Sequence, residues 1–209
     1  MNEEVKAVAT TDQQTAVAPF ANSTSGFELA QRQANALAQS DIVPVAYKGK
    51  VANCLVALEI AHRSNESPLI VMQNLNIIHG RPSWSAVYII GKINTCGRFD
   101  KLQFKYDDGE QTCFAFARDR EQDVLVKGPT ISIDMAKKEG WFQKAGSKWQ
   151  SMPSLMLSYR AATFFGRMYC PEVLLGMQTQ DEVRDVGPND QASLEAAERT
   201  KRIKARVQS

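Results

Sequence analysis

Leu102-Gln103-Phe104-Lys105-Tyr106-Asp107-Asp108-Gly109-Glu110-Gln111-Thr112-Cys113-Phe114-Ala115-Phe116-Ala117 holds two strand-like runs around a turn. Aromatic side chains recur in both runs, and Asp107-Asp108-Gly109 between them has the composition of a tight hairpin connection. The stretch predicts strands over 102–106 and 112–117, with a third strand over 124–133. Working outward, helical periodicity takes over on both sides. Val51, Cys54, Leu55, Leu58 and Ala61 follow the i, i+3, i+4, i+7 spacing of a helix laid on a core, which stops at Ser64-Asn65-Glu66-Ser67-Pro68. Phe27, Leu29, Ala30, Ala34 and Leu37 suit a shorter helix ending before Pro44. Residues 75–79 form a β-like run closed by a turn at Gly80-Arg81-Pro82. Ser83 is then a helix cap for 84–96, where Ala86, Ile89, Ile90 and Ile93 share a face and Gly97 supplies the stop. After a helical turn over 135–142 and a loop at Gly146-Ser147, Pro153 opens a long helix running to about Tyr169. Helices flanking a small antiparallel sheet make the expected class α+β rather than alternating β/α.

The chain has 209 residues, 44% of them hydrophobic and 23% charged, enough for one core but short for two independent domains. The expected organisation is a flexible arm over 1–24, rich in Ala, Thr, Gln and Ser, then a core over 25–180. A charged tail over 181–209 would follow, broken at Gly187-Pro188, carrying an exposed helix over 192–207 and free to dock a partner. No apolar run approaches the roughly 20 residues of a bilayer crossing, and the first residues lack the pattern of a secretory signal, so a cytosolic protein is expected. Cys54, Cys96, Cys113 and Cys170 are widely spaced with no Cys-x-x-Cys pair. They read as reduced, half-buried thiols rather than as zinc ligands.

The formal net charge of +2 conceals an uneven distribution. Residues 48–170 carry seventeen basic and eleven acidic side chains, whereas 1–47 carry two and five, and 171–209 carry six and seven. A basic core between acidic flanks suggests an anionic partner. Several chemistries are missing. There is no Gly-x-x-x-x-Gly-Lys-Ser/Thr loop to cradle a nucleoside triphosphate, no Gly-x-Gly-x-x-Gly after a strand, and no His-Glu-x-x-His helix. Asp100, Asp107, Asp108 and Glu110 could in principle converge for magnesium-dependent DNA hydrolysis, the alternative reading. Three of the four belong to the hairpin turn or its flank, where Asp and Gly serve backbone geometry.

The long helix carries the main functional signal. Wound at about 100° per residue, it brings Met156, Arg160, Thr163 and Arg167 onto one stripe beside an apolar face of Leu157, Ala161, Phe164, Phe165 and Met168. A charge beside a core is costly unless it is paired or faces a polar site, and no acid lies three or four residues from either arginine within the helix. The two arginines either snorkel or pair with a distant acid, or they line a phosphate-binding groove that suits the guanidinium fork. Further cations punctuate the sequence near aromatic rings: Lys48, Lys50, Arg81, Lys92, Arg98, Lys101, Lys144 and Lys148 alongside Trp84, Phe99, Trp141 and Trp149. Charges that follow a backbone and rings on which bases stack are what a single-strand groove requires.

Trp149-Gln150-Ser151-x-Pro153-x-x-Met156-Leu157-x-x-x-Ala161-x-x-x-x-x-Arg167, followed by Pro171-Glu172-Val173-Leu174-Leu175-Gly176 and Asp181-Glu182, resembles the RecT family of phage single-strand annealing recombinases. So do Asn76-Ile77-Ile78-His79-Gly80-Arg81-Pro82-Ser83-Trp84-Ser85 and Ile93-Asn94-Thr95-Cys96-Gly97-Arg98-Phe99, and the likeness spans about residues 26 to 185. The resemblance implies ATP-independent pairing of complementary DNA strands by a non-enzymatic protein that assembles into rings or helical filaments. It needs no cofactor, magnesium acting through the DNA. The implied partners are single-stranded DNA and the annealed duplex, further copies of the chain, a host single-strand-binding protein and a phage exonuclease, with no membrane. The related lambda Red beta proteins use basic residues of the same helix on DNA, which gives Arg160 and Arg167 a DNA-binding role. They also carry a lysine just after the proline, where this chain has Ser154. With the scattered cations, the candidate DNA-binding set is Arg81, Lys92, Arg98, Lys101, Lys148, Trp149, Arg160 and Arg167. The tail from about Asp181 is expected to be dispensable for binding.

Overall fold

The computed structural model describes residues 24–78, 80–144 and 147–186. The arm expected over 1–24 lies, but for Thr24, outside the described residues, as does the helix expected over 192–207. The chain divides into two compact units at Leu69 and Ile70.

The first unit pairs helices α1 (Thr24–Ala38) and α2 (Val51–Ser64). Ala30, Ala34 and Ala38 recur every fourth residue on the buried face of α1, and their small side chains meet Cys54, Ala57, Leu58 and Ala61 of the α2 core stripe. Asn65 closes α2 with φ of 51°, a left-handed cap that an Asn side chain tolerates.

The second unit is the α+β body expected from the sequence. Helix α3 (Pro68–Asn74), which straddles the division, leads into a two-stranded hairpin of β1 (Leu75–Ile78) and β2 (Arg81–Trp84). Residues 81–83 were expected as a turn and a cap and Trp84 as the start of the helix, yet 81–84 pair as a strand. The helix cap shifts two residues, to Ser85, whose hydroxyl accepts from the Tyr88 N–H at 3.1 Å at the start of α4 (Ala86–Thr95). Gly97, at φ of 84°, ends that segment as expected.

Strands β3 (Gln103–Tyr106), β4 (Thr112–Asp119) and β5 (Val124–Lys127) form an antiparallel meander, and β6 (Ile131–Ser132) pairs with the start of β4. The third expected strand is thus real but broken at Gly128-Pro129, where proline cannot donate to the ladder. The β3–β4 connection spans the five residues 107–111 that the expected strands left between them. Asp107 organises it, its Oδ1 accepting from the backbone N–H of Gln111 at 2.7 Å and of Thr112 at 2.8 Å.

After α5 (Ile133–Lys138) and α6 (Lys148–Ser151), α7 (Pro153–Tyr169) begins and ends where expected and lies across β4. Cys113, Ala115 and Ala117 point into that contact; their small size lets the helix approach closely. Tyr106, opposite Cys113, fixes the helix start by donating its hydroxyl to the Ser154 carbonyl at 3.0 Å. Leu157 and Phe165 are fully buried on α7, each burial worth roughly 1.5–3 kcal/mol. Gly166 permits the close packing of α4 and α8 (Pro171–Leu174): a Cβ there would stand 2.9 Å from a Leu174 methyl and 3.3 Å from an Ile93 methyl. Of the cysteines, Cys54, Cys113 and Cys170 are buried and free, whereas Cys96 is exposed rather than half-buried. No described helix is long and apolar enough to cross a membrane.

Gly128 carries a testable consequence of this close approach. A Cβ at that position would lie 3.3 Å from the Ala115 carbonyl oxygen and 3.4 Å from the Phe165 Cα, backbone atoms that cannot rotate aside. Gly128→Ala is expected to destabilise the second unit by about 1–3 kcal/mol in urea denaturation, with the m-value unchanged.

Candidate nucleic-acid interface

The residues expected to bind DNA fall into separate groups. The first is built around α9 (Gln180–Val186), which returns toward α7 and carries two buried acids. Arg160, only 4% exposed, directs Nη1 to Glu182 Oε1 at 3.4 Å and donates from Nη2 to Asp185 Oδ2. Its guanidinium carbon stands 4.1 Å from the centre of the Trp141 ring. Trp149 is fully buried and donates its indole N–H to the same Asp185 oxygen at 3.1 Å. Arg167, with its side chain 39% exposed, donates to Glu182 Oε2 at 2.7 Å, an oxygen that also accepts from the Thr179 N–H and hydroxyl at 2.8 and 3.0 Å. Lys144 donates to the backbone carbonyls of Arg184 and Asp185, and Lys148 is exposed nearby in sequence on α6.

Of the two alternatives left open for the arginine stripe, the pairing with a distant acid is therefore realised for both residues. Arg160 and Trp149 are interior, not the floor of an open groove, because the acids that neutralise Arg160 come from 22 and 25 residues further along the chain. The expected tail boundary moves for the same reason: Glu182, Val183 and Asp185 are buried, so the packed structure extends through α9. Burial pushes the Asp185 carboxyl above the ordinary carboxylate range, against the Arg160 charge and the Trp149 N–H, which pull it down.

The second group gathers at one end of the β3–β5 sheet. Arg98 donates to the buried Asp119 at 3.0 Å and to the Tyr169 carbonyl, with its guanidinium 4.9 Å from the Phe99 ring centre. Asp100 accepts from Arg120 at 2.8 Å, and Lys101 is exposed just before β3. Burial raises the Asp119 carboxyl, but the Gln122 N–H, the Arg98 guanidinium and the Glu121 N–H outweigh it and hold it below its usual range. Arg81 is exposed on β2 and Lys92 is half-buried on α4, six residues before Arg98. The four acids of the hydrolytic alternative are dispersed in role: Asp100 on Arg120, Asp107 on the turn backbone, Glu110 accepting from the Ser154 hydroxyl, and Asp108 at the exposed tip. Among the described residues no three His, Cys, Asp or Glu side chains are grouped to hold a metal ion.

A third group was missed in the sequence. On β4 the residues between the buried ones, Phe114, Phe116 and Arg118, face away from α7. The register sets Lys105 opposite Phe114, both Gln103 and Lys127 opposite Phe116, and Leu125 opposite Arg118. Phe114 and Phe116 are half-buried with ring centres 5.9 Å apart, and the Lys127 ammonium lies 3.9 Å from the Phe114 centre. A signal existed in the Cys-Phe-Ala-Phe-Ala alternation, but large apolar residues are ordinarily assigned to the core and small ones outside. Here α7 lies so close that the small residues are inside.

No protein-family model and no curated protein matches this chain.

Two outcomes follow from the pairings. Arg160→Ala would leave Asp185 buried without its guanidinium partner and Glu182 with Arg167 alone, and is expected to cost about 3–5 kcal/mol in chemical denaturation. Asp119, with its carboxyl held low, contributes stability above the ordinary carboxylate range that is lost as pH falls through its lowered pKa. The stability gap between the wild type and Asp119→Asn should accordingly be full at neutral pH and narrow on acidification below about pH 4, followed by urea denaturation across pH.

Proposed function

We propose that this protein is an ATP-independent single-strand annealing protein of the RecT type, which holds DNA by its phosphates, assembles with further copies and pairs complementary strands. The observation that carries this reading is the set of exposed cations on and beside one sheet, whose central strand β4 is covered on its other face by α7: Lys101 before β3, Lys105 on β3, Lys127 on β5, and Arg118 on β4, which also pairs with Asp123 at 2.6 Å. Rigid strands hold these charges at fixed spacing, so a polyanion can follow them without the protein reorganising.

The RecT-like pattern supports the same reading. Its separate parts, Trp149, the α7 residues Met156, Leu157, Ala161 and Arg167, and Glu182 on α9, are linked by burial and by ion pairs into one piece of architecture. In this reading Arg160 and Trp149 hold α9 and orient the partly exposed Arg167. Phosphate contact falls to Arg167, Lys101, Lys105, Lys127 and Lys148. The protein supplies no chemical energy, because duplex stacking provides about 1.4 kcal/mol per step once strands meet. Its task is to cancel repulsion between strands and keep them extended, with magnesium acting on the DNA alone. Such a protein would work in the cytoplasm of a bacterial host, handing DNA between a phage exonuclease and a host single-strand-binding protein.

Mixing two complementary labelled oligonucleotides with the protein, without ATP, tests this. Pairing of full-length strands should accelerate at low salt, and binding should weaken linearly with the logarithm of salt. Replacing Lys101, Lys105 and Lys127 together by alanine should reduce that slope by about two, at roughly 0.7 per phosphate contact on single strands. Unaccelerated pairing defeats the proposal, and magnesium-dependent shortening of the strands would establish the hydrolytic alternative.

A further inference from the structure

The cations above account for the sugar–phosphate chain but leave the bases without an assigned contact. We propose that Phe114 and Phe116 form a base-stacking platform, so that the solvent face of the β3–β5 sheet is specific for single-stranded DNA. This deepens the single-strand reading and rests on it.

Three observations converge on this face. Period-two alternation on β4 sends Cys113, Ala115, Ala117 and Asp119 toward α7 and sends both rings the other way, with centres 5.9 Å apart and planes 50° apart. Each ring has a lysine directly across the ladder, Lys105 beside Phe114 and Lys127 beside Phe116, and Leu125, 68% exposed, extends the apolar surface. At its strand positions the face presents Gln103, Lys105, Thr112, Arg118, Leu125, Lys127 and Ser132 around the rings. None of these is an acid, but Asp123 in the β4–β5 turn accepts from Arg118 at 2.6 Å, which leaves Lys105 and Lys127 as the cations beside the rings, and Asp119 lies on the α7 side.

The charge pattern selects the occupant. An apolar peptide would bury Lys105 and Lys127 without partners, and an acidic segment would pair them but bring no flat surface to the rings, whereas a nucleic acid brings a phosphate for each cation and a flat apolar surface for each ring. Lys127 shows how the exchange would proceed. In the free chain its ammonium lies over Phe114 at 3.9 Å, a cation–π contact shielding the ring. A base arriving on Phe114 takes that position and the ammonium swings to the adjoining phosphate. Duplex DNA has its bases stacked on one another and cannot offer them to the rings, so the platform discriminates by strand state rather than by sequence.

The experiment compares the full-length protein with Phe114→Leu and Phe116→Leu, which keep the half-buried apolar volume but remove the flat ring, and with Phe114→Tyr and Phe116→Tyr, which restore it. Each is titrated against a labelled mixed-sequence oligonucleotide and against an abasic strand of equal length, carrying the phosphates without the bases. Thermal melts establish that each variant is folded. The leucine variants should each bind the base-bearing strand at least about fivefold more weakly, the tyrosine variants should bind it normally, and all should bind the abasic strand alike. Equal losses on both strands, or undiminished binding by folded leucine variants, overturn the platform while leaving annealing by the wild type intact. Wild-type protein that binds neither strand overturns the single-strand reading itself.

Discussion

A guanidinium shut inside a protein must find carboxylates, and the fold of the second unit is organised around that demand at Arg160. The helix bearing it is apolar over most of its surface and buries Met156, Leu157, Ala161, Ala162 and Phe165. Arg160 is carried inside with them. Its charge is sustained because α9 comes back across the unit to bring Glu182 and Asp185, while Trp149 donates to the Asp185 oxygen that Arg160 also engages and Thr179 to the Glu182 oxygen the arginine leaves over. Exchanging such a cluster for apolar side chains could preserve stability, but removing one member strands the others. The cluster thereby specifies where α9 docks, which simple burial of Val183 would define only loosely.

Docking α7 across β4 has a second effect, on the far side of the sheet. Because α7 approaches over Cys113, Ala115, Ala117 and Gly128, its own larger side chains fill the interface, and the β4 aromatic residues are displaced to the opposite face. A sheet whose central strand is covered by a helix on one face and carries rings and cations on the other is asymmetric in chemistry as well as in burial. The asymmetry originates in residue size along one strand: interchanging the small and large positions of 113–117 would clash with Phe165 on one side and leave the other without rings.

Element positions were largely legible in the sequence wherever periodicity and punctuation agreed. Helix α7 between Pro153 and Tyr169, α2 from Val51 to Ser64, and the β3–β4 hairpin all follow from local signals. What local signals cannot convey is pairing at a distance. The absence of an acid within four residues of Arg160 correctly excluded a partner on its own helix, but nothing nearby could reveal Glu182 and Asp185. The short β1–β2 hairpin failed for a related reason: Arg81-Pro82-Ser83 has turn composition, and it becomes a strand through ladder contacts to 75–78 and a Trp84 N–H bond to the Gln178 carbonyl. The candidate site was half legible. The cations could be found, but which of them already serve acids could not, and the Phe114–Phe116 pair was hidden by the expectation that large apolar residues face inward.

In the proposed function, the division between interior arginine and exterior lysine bears on how strands are exchanged. A buried guanidinium such as Arg160 would release a phosphate slowly, because leaving restores a desolvated charge, whereas exposed lysines exchange partners with little reorganisation. Annealing requires the second behaviour, since a strand held too firmly cannot yield its bases to a complement. Two rings per subunit suit the same need. Ring stacking of about 1–3 kcal/mol per base is comparable to the roughly 1.4 kcal/mol that a base gains from each duplex step, so a complementary partner can draw a base from the platform while a mismatched one cannot. On this proposal the protein tests complementarity by competing with it, and a stronger platform would bind single strands better and anneal them worse.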